Sequence, residues 1–474
     1  MDFIPLSDLI GGAAILAVGL FSLAALTITA FFPKARTAVF VTALLGAAAG
    51  IVFAGYSFPD NQTAFSDMLL VGGFANFYSI LFLVIAVLTM VLSAPYMEKE
   101  GYRHSEFYVL VLFAAIGMMM MGASGDLITM FLGLEVMSVT FYVMAGLFRA
   151  KLTSNESSLK YFLLGAFATG FLLYGIALIY GTTGTTNLIR IAAQFPQAFD
   201  QPLHVIGWGL LLIGLAFKVG AFPFHMWVPD VYEGAPTSVT AFMSTGGKAA
   251  AFSAFILVFS IPMAMHDPRM TTVLAVLAAG SMIVGNWFGL SQTNLKRMLA
   301  YSSIAHAGYM LIGIASASPV GQQGITFYLV SYALTNLGAF GVVMMLETEK
   351  GEGVTYEEYA GLGRRKPVLA ALLSMFMFSL TGIPPFAGFV GKYYLFASAV
   401  QSGLTWLAVL GVITSLISTY YYLRVVVYMY FRDGSAEEPS LPASSLAAVA
   451  LSAAGILVLG IMPSLIFDVI VSMF

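Results

Sequence analysis

Long apolar runs alternate with short polar connections along this sequence, and this alternation limits the possible folds more than any other feature. About fourteen runs have, or approach, the roughly 20 mainly apolar residues that a membrane-spanning helix needs. Only 9% of the residues are charged, which leaves no sizeable soluble domain. Backbone polar groups in lipid need internal partners, and helices provide them. We therefore predict an all-α polytopic membrane protein with about 14 transmembrane helices.

The boundaries of the predicted helices follow the ends of the apolar runs. They lie near residues 9–31, 37–57, 74–95, 107–122, 127–148, 158–181, 204–222, 236–262, 270–290, 297–317, 323–346, 367–383 continuing to 401, 404–430 and 442–472.

Proline interrupts two of these helices, five helices apart. Pro223 stands in "FKVGAFPF" of the seventh, and Pro384 and Pro385 stand in "SLTGIPPFAGFVGK" of the twelfth, each with a lysine close by. Paired interruptions of this kind are typical of inverted-repeat transporters, whose broken helices line an ion path. We predict two inverted five-helix repeats with broken seventh and twelfth helices.

The positive residues indicate the orientation, because Lys and Arg concentrate in the cytoplasmic connections of membrane proteins. Alternate connections hold most of the 20 Lys and Arg residues, including Lys34, Lys99, Lys151 and Lys296. The opposite connections hold only Arg190 and Arg269. We therefore expect both termini on the side away from the cytoplasm.

Several function classes are excluded by what the sequence lacks. It contains no cysteine, so it has no ligand for cysteine-bound iron–sulfur clusters and no thiol nucleophile. No glycine-rich motif for a dinucleotide or a nucleoside triphosphate is present. The formal net charge of -3 makes nucleic acid an unfavourable partner.

Three lysines and one glutamate fall well inside predicted helices: Lys218, Lys248, Lys392 and Glu135. A charge at the centre of a spanning helix costs about 2.5 to 3.5 kcal/mol, so each needs a reason. One alternative is that the lysines extend their ammonium groups to the interface. The other is function, since intramembrane ionisable residues mark ion and proton pathways.

Glu135 and Lys218 form the expected pair. Glu135 lies nine residues after Asp126, or about 13 Å along a helix, which places it near mid-membrane. A buried lysine whose counter-charge moves can take up and release a proton. A series of such lysines, linked by water and polar side chains, would form a proton relay.

Two histidines are weaker candidates for linking groups. His225 in "FPFHMWVPD" and His306 in "YSSIAHAGYM" lie in or beside predicted helices and would connect lysines through water. Simple hydrogen bonding of each histidine to a backbone carbonyl is the alternative. The polar connection from Glu347 to Pro367 is interpreted as a solvated loop, with a docking surface for a partner subunit as the alternative.

Several strings resemble the antiporter-like membrane subunits of respiratory complex I, NADH:quinone oxidoreductase, and above all the subunit N family. They are "LKYFLLGAFATGFLLYGIALIYGTTGTTNL", "AFKVGAFPFHMWVPDVYEGAPTSVTAFMSTGGKAA", "NLKRMLAYSSIAHAGYMLIG", "LTGIPPFAGFVGKYYLF" and "SLISTYYYLRV". The resemblance covers about residues 105 to 430, and this combination of strings is specific.

The resemblance implies roles for individual residues. Glu135 matches the glutamate of the fifth helix and Lys218 its partner in the broken seventh helix. Lys248 matches the central lysine, and Lys392 matches the lysine towards the exit. His225, His306 and Lys160 fall in matching strings as further relay or connecting residues. Gly246 and Gly247 depart from the family pattern, which leaves the helix geometry before Lys248 open.

The resemblance also implies a function and a setting. The chain would move protons from the cytoplasm to the periplasm of a bacterium, in the inner membrane, driven by quinone reduction elsewhere in the complex. NADH, FMN, iron–sulfur clusters and quinone would be bound by other subunits, and this chain would bind no cofactor or metal. Its partners would be the other membrane-arm subunits and the lipid bilayer, with no nucleic acid.

We expect the chain to divide into four parts: three N-terminal helices (1–104), a first antiporter-like bundle (105–265), a second bundle (266–432) and a C-terminal helix (433–474). Two alternatives remain open at this point. One is a subunit of a secondary sodium/proton antiporter, which shares strings of the "GIPPF" type. The other is a scaffold whose lysines only pair with acids or lipid.

Overall fold

The computed structural model describes residues 5–198, 201–260, 268–348, 353–434 and 441–474. These residues are mostly helical. The α-helices, in chain order, are α1 Leu6–Gly11, α2 Ala13–Phe31, α3 Arg36–Tyr56, α4 Gly73–Lys99, α5 Glu106–Gly122, α6 Leu127–Ala145, α7 Leu152–Thr183, α8 Leu188–Ala198, α9 Pro202–Val219, α10 Trp227–Gly234, α11 Thr237–Phe242, α12 Lys248–Phe255, α13 Pro268–Leu290, α14 Leu295–Ala315, α15 Pro319–Leu346, α16 Leu362–Arg365, α17 Pro367–Thr381, α18 Ala387–Gln401, α19 Thr405–Phe431, α20 Ala443–Ile461 and α21 Ser464–Val471.

Twelve helical segments of the described residues are long and apolar enough to cross a membrane, and α5 and α17 are shorter apolar helices. The chain is therefore a polytopic membrane protein. Helix α15 lies at the centre of the bundle, where it packs against α4, α11, α14, α17, α18 and α20. Helices α14 and α15 are buried over most of their length, whereas α2 and α3 expose many apolar side chains.

A small hairpin corrects the expectation of an all-α chain. Strands β1 (Asn61–Ala64) and β2 (Leu69–Gly72) pair antiparallel between α3 and α4. The turn contains positive-φ residues 65–67, and Gly72 has a φ of 111°. A Cβ at Gly72 would lie 1.5 Å from the Asp60 carbonyl oxygen, so only glycine fits there.

Both predicted helix breaks are present, but glycine ends each helix before the proline is reached. Helix α9 ends at Val219, followed by Gly220 with a φ of 71°. Helix α17 ends at Thr381, followed by Gly382 with a φ of 88°. A left-handed glycine is a common helix terminator, so the breaks begin three and two residues before the predicted helix ends at 222 and 383.

Two further predicted helices are divided. The eighth predicted helix contains π-helical turns at Met243–Gly247 and Ile256–Ser260, on either side of α12. The helix predicted to run from 442 to 472 ends at Ile461 and resumes at Ser464. Pro463 lies between these two pieces, and a proline in a helix interior removes a backbone hydrogen bond.

Candidate functional site

The three lysines predicted to lie inside helices are all buried, on three different helices of the bundle. Lys218 lies on α9, Lys248 begins α12 and Lys392 lies on α18. These residues are 6%, 3% and 4% exposed, so none of the three ammonium groups reaches the surface of the bundle as that of an interfacial lysine would.

Lys218 lies among aromatic side chains in the last turn of α9, directly before the break. Its Nζ donates a hydrogen bond to the Tyr142 hydroxyl at 3.2 Å. The same Nζ lies 5.3 Å from the Tyr142 ring centre, 5.4 Å from that of Tyr161 and 5.7 Å from that of Phe217. Aromatic faces attract cations, so these rings partly compensate the charge without a directly bound carboxylate.

The expected pair of Glu135 and Lys218 is not a contact ion pair. The side-chain hydrogen bond of Lys218 Nζ goes to Tyr142, and the Glu135 Oε1 atom is buried without a hydrogen-bond partner. The two charges still interact electrostatically. Tyr142 follows Glu135 by two helical turns on α6 and supplies the direct contact to Lys218. The hydroxyl thus replaces the predicted direct contact.

Lys248 is bound by the neighbouring helix α14. Its Nζ donates to the Ser303 carbonyl oxygen at 2.5 Å and to the Ser303 hydroxyl at 2.5 Å. The Tyr332 ring centre lies 5.4 Å away. The π-helical turn at Met243–Gly247 ends directly before Lys248. It includes Gly246 and Gly247, the two residues that depart from the family pattern, so the helix geometry is altered at these residues. Turns of this kind occur frequently at functional sites.

His306 lies between the central lysine and the lysine on α18. Its Nε2 bonds the Tyr422 hydroxyl at 3.0 Å, and its Nδ1 bonds the Tyr328 hydroxyl. Tyr422 also bonds the Ser302 hydroxyl, next to the residue that binds Lys248. His306 interacts electrostatically with both Lys392 and Lys248. His306 is therefore buried in the core of the bundle, and both of its ring nitrogens bond side-chain hydroxyls, not a backbone carbonyl.

Lys392 is held at the break between α17 and α18. Its Nζ donates to the carbonyl oxygens of Leu380 and Thr381, both at 2.9 Å, and to the Ser415 hydroxyl at 2.7 Å. The ring centre of Tyr309 lies 4.8 Å from Nζ. The last turn of a helix has carbonyl groups without helical partners, and these bind the ammonium here.

The other two candidates, His225 and Lys160, do not belong to the series of buried groups just described. His225 stacks on Phe222, with ring centres 5.9 Å apart, and makes no hydrogen bond to any of the three lysines or Glu135. Lys160 is 40% exposed at its side chain and bonds Glu156 and Asp230, each at 2.7 Å.

Asp230 joins Lys160 to a further cation. Arg297 bonds Asp230 at 2.9 Å and Glu233 at 2.7 Å. Burial opposes ionisation of Asp230, but the hydrogen bonds from Lys160 and Arg297 outweigh it and lower the pKa of its carboxyl. Lys160 thus belongs to an ion-pair network at the end of the bundle.

Four other charges lie together at that end, where the sequence predicted polar connections. We call them the four-charge cluster: Glu100, Lys151, Lys296 and Glu347. Lys151 Nζ donates to Glu100 at 2.6 Å, and Lys296 lies 3.9 Å from Glu347. Lys296 and Glu347 are 4% and 7% exposed, so Glu347 is not part of a solvated loop. These residues stand at helix ends in the sequence, where no local signal predicts burial.

The hydroxyl groups that contact the lysines were also missed from the sequence. Tyr142, Ser303 and Ser415, like Tyr422 beside His306, carry no individual signal, because Ser and Tyr are common in helices of every environment. Among the described residues, no three His, Cys, Asp or Glu side chains form a group that would hold a metal ion. The arrangement consists of buried ammonium, imidazole, hydroxyl and carboxyl groups, which can exchange protons.

Known proteins resemble this chain over most of its length. Residues 124–418 match the family described as NADH:quinone oxidoreductase/Mrp antiporter, TM. The chain is 49% identical over 427 residues to NADH-quinone oxidoreductase subunit N of Trichlorobacter lovleyi, with 88% of each chain covered.

Two solved structures share the fold. A chain of respiratory complex I from Thermus thermophilus with bound aureothin is 37% identical, with a TM-score of 0.84, 96% of this chain and 98% of that chain covered. A chain of the Mrp complex from Dietzia sp. is 21% identical with a TM-score of 0.83, covering 98% and 96%, and shows likeness of fold alone.

A bundle of spanning helices with two broken helices and buried lysines defines the class of antiporter-like membrane subunits. Within this class, the sequence identities decide the assignment. The chain belongs to the subunit N family of NADH-quinone oxidoreductase.

Proposed function

We propose that this chain is a proton-translocating subunit of NADH:quinone oxidoreductase and works in its membrane arm together with the other membrane subunits. The names of the curated relatives favour this function over that of a sodium/proton antiporter subunit. As part of that assembly the chain contributes to an oxidoreductase that is also a proton translocase. The electrons, in this proposal, are transferred by other subunits, which bind NADH, FMN, the iron–sulfur clusters and quinone.

The observation that carries the proposal is the succession of buried proton-exchanging groups across the bundle. It runs from Lys218 through Lys248 and His306 to Lys392, with hydroxyl groups bound to each of them. Buried ionisable residues in spanning helices are costly, and they mark proton relays in pumps and transporters. A purely structural role would be better served by apolar side chains of similar volume.

The four lysine and glutamate residues have different roles in this mechanism. Glu135 and Lys218 are the switching pair, because a change in the charge of Glu135 alters the proton affinity of Lys218. Tyr142 positions the Lys218 ammonium. Lys248 receives the proton at the centre, and His306 with Tyr422 passes it towards Lys392, which releases it outward. Moving one charge against 100 mV needs about 2.3 kcal/mol, so quinone reduction elsewhere must drive the cycle.

The proposal includes a topology. Fourteen spans result when α5 and the broken α17–α18 pair are added to the twelve long segments. The two breaks then stand in corresponding helices of two inverted five-helix repeats, in residues 105–265 and 266–432. Residues 1–104 and 433–474 flank these repeats. Both termini face the periplasm of a bacterial inner membrane, as the distribution of Lys and Arg indicates.

The test is NADH-driven proton pumping in inside-out vesicles, comparing the parent complex with Lys218→Ala. We expect the variant complex to assemble, since the substitution removes a buried charge. Its rate of vesicle acidification should fall at least about tenfold, because a positioned proton-transfer group contributes about 10²-fold or more. A native gel of the solubilised membranes checks assembly.

Lys34→Ala is the matched control, because Lys34 is an exposed lysine in a connection. It should pump like the parent. Unchanged pumping in an assembled Lys218→Ala complex would contradict the role of Lys218.

A further inference from the structure

The four-charge cluster joins four parts of the chain at one end of the bundle. Glu100 follows the end of α4, Lys151 precedes α7, Lys296 lies in the first turn of α14 and Glu347 follows α15. Two positive and two negative charges are thus concentrated at the end that the Lys and Arg distribution assigns to the cytoplasm. Nothing in the mechanism above uses them.

The cluster is more than two separate ion pairs. Glu100 interacts electrostatically with Glu347, and Lys296 interacts with Glu347, Lys151 and Glu100. Tyr96 interacts electrostatically with both acids. A proton gained or lost at one carboxyl therefore changes the energy of a proton at the other.

The geometry is poor for a structural ion pair but suits a group that exchanges protons. The Glu100 side chain is 1% exposed, yet its Oε1 atom has no hydrogen-bond partner. The Lys296 to Glu347 distance of 3.9 Å is too long for a hydrogen bond. Structural buried charges are normally fully hydrogen-bonded, because an unpartnered polar group in a buried site is costly.

The surroundings of Glu100 shift its carboxyl towards the protonated form, relative to a glutamate in water. Burial raises the pKa of the Glu100 carboxyl, the hydrogen bond and charge of Lys151 oppose this shift, and the charge of Glu347 adds to it. The charged and titratable groups that face the two acids are Lys99, Lys151, Lys296, Tyr96 and Tyr359.

A cavity of about 1180 Å³ borders both Glu100 and Tyr142. Its lining includes Glu100, Lys151, Ser158 and Tyr142. Tyr142 is the residue that binds the Lys218 ammonium. Glu100 thus shares a cavity with the hydroxyl-bearing residue that binds Lys218.

A second connection leads towards the central lysine. The Thr237 hydroxyl donates to Glu347 Oε2 at 2.5 Å, and Lys296 Nζ donates to the Ala235 carbonyl oxygen at 2.9 Å. Thr237 begins α11, and Lys248 follows eleven residues later, or about 16 Å along the helix. Glu347 therefore lies at the start of the helix that ends in the turn before Lys248.

We propose that Glu100 and Glu347 form the proton-uptake site of this chain, collecting protons from the adjoining aqueous side and supplying them to Lys218 and Lys248. The inference rests on the proposed function, because it assumes that these lysines carry protons. In each cycle one carboxyl gains a proton from water and gives it to the relay, so that it returns to the carboxylate.

The test compares pumping by Glu100→Gln and Glu347→Gln complexes at two cytoplasmic-side pH values. A bulk donor becomes tenfold scarcer with each pH unit, so a relay without its collecting acids should fail most at high pH. We expect near-parental pumping at about pH 6 and a fall of about tenfold at about pH 8 in both variants, relative to the parent at the same pH. A merely structural defect would lower pumping equally at both values.

Glu347→Asp and Asp433→Asn are the controls. The aspartate keeps a carboxyl and should restore much of the high-pH pumping, whereas Asp433 is 88% exposed at its side chain and its substitution should match the parent. If Glu347→Gln fails to assemble on a native gel, Glu100→Gln decides the question.

Two outcomes separate this inference from the function on which it rests. Equal losses at both pH values in the glutamine variants, or parental pumping at both, would overturn the uptake site. A Lys248→Met complex measured in parallel should lose pumping at both pH values. If Lys248→Met pumps normally, the relay itself is wrong, and the uptake site is rejected with it.

Discussion

Replacing Lys248 by methionine is expected to abolish NADH-driven proton pumping while the complex remains assembled. Lys248 is 3% exposed, lies at the centre of the bundle and is bound only through Ser303 and the Tyr332 ring among the described residues. No other described lysine lies between Lys218 and Lys392 in the proposed order. We expect the acidification rate to fall by about 10²-fold, which is typical for loss of a proton-transfer group.

Methionine is chosen because it fills a similar volume without a charge. The substitution removes a buried ammonium, which favours folding, and leaves two Ser303 acceptors without their donor, at about 1 to 3 kcal/mol. The measurement is vesicle acidification per NADH oxidised, together with a native gel. Lys248→Arg is the matched comparison, because arginine keeps the charge but does not release its proton at physiological pH. It should also fail, whereas rescue by arginine would indicate a purely electrostatic role.

Replacing Gly117 by valine is expected to prevent stable assembly of the subunit. Helices α5 and α6 touch at their backbones: a Cβ at Gly117 would lie 2.5 Å from Met137 N and 2.6 Å from the Gly133 oxygen. These are backbone atoms, so α6 itself would have to move. We expect destabilisation by about 1 to 3 kcal/mol or more, because overpacked interiors respond by backbone shifts. Small residues at helix contacts are typical of membrane bundles for this reason.

Gly170→Val on α7 is the control, since a Cβ there meets nothing within 4 Å. Both variants carry the same change in helix propensity, so the difference between them reports the α5–α6 contact. The readouts are the amount of subunit in washed membranes, by immunoblot, and the thermal stability of the solubilised complex. Equal behaviour of the two variants would mean that the two helices can separate slightly without loss of stability.

The displacement of α6 would also affect the relay, since α6 carries both Glu135 and Tyr142. Pumping by any surviving Gly117→Val complex should therefore be lower per assembled complex than that of Gly170→Val. The packing of α5 against α6 thus also determines where Tyr142 holds the Lys218 ammonium.

Much of the fold was predictable because a bilayer restricts it to spanning helices. The apolar runs predicted the helical segments within a few residues in most cases, for example α6 and α14. The breaks at Pro223 and at Pro384 and Pro385 were predicted from proline, although Gly220 and Gly382 end the helices first. The hairpin at 61–72 was missed, because its polar residues resemble those of any short connection.

The candidate lysines were also predictable, because an ammonium in an apolar run of 20 residues is costly and therefore conspicuous. The same reasoning failed for Lys296 and Glu347. They lie at helix ends in the sequence, where charges are usual, but neighbouring helices cover them in the bundle.

The sequence by itself determined which segments cross the membrane and which buried charges need an explanation, because both follow from the cost of polar groups in lipid. The tertiary structure decided which groups touch. It placed Tyr142 instead of Glu135 against Lys218, Ser303 against Lys248, and His306 between two lysines. The hydrogen bonds at these three places join residues 55 to 116 positions apart along the chain, and such pairings depend on how the helices pack and not on any local pattern.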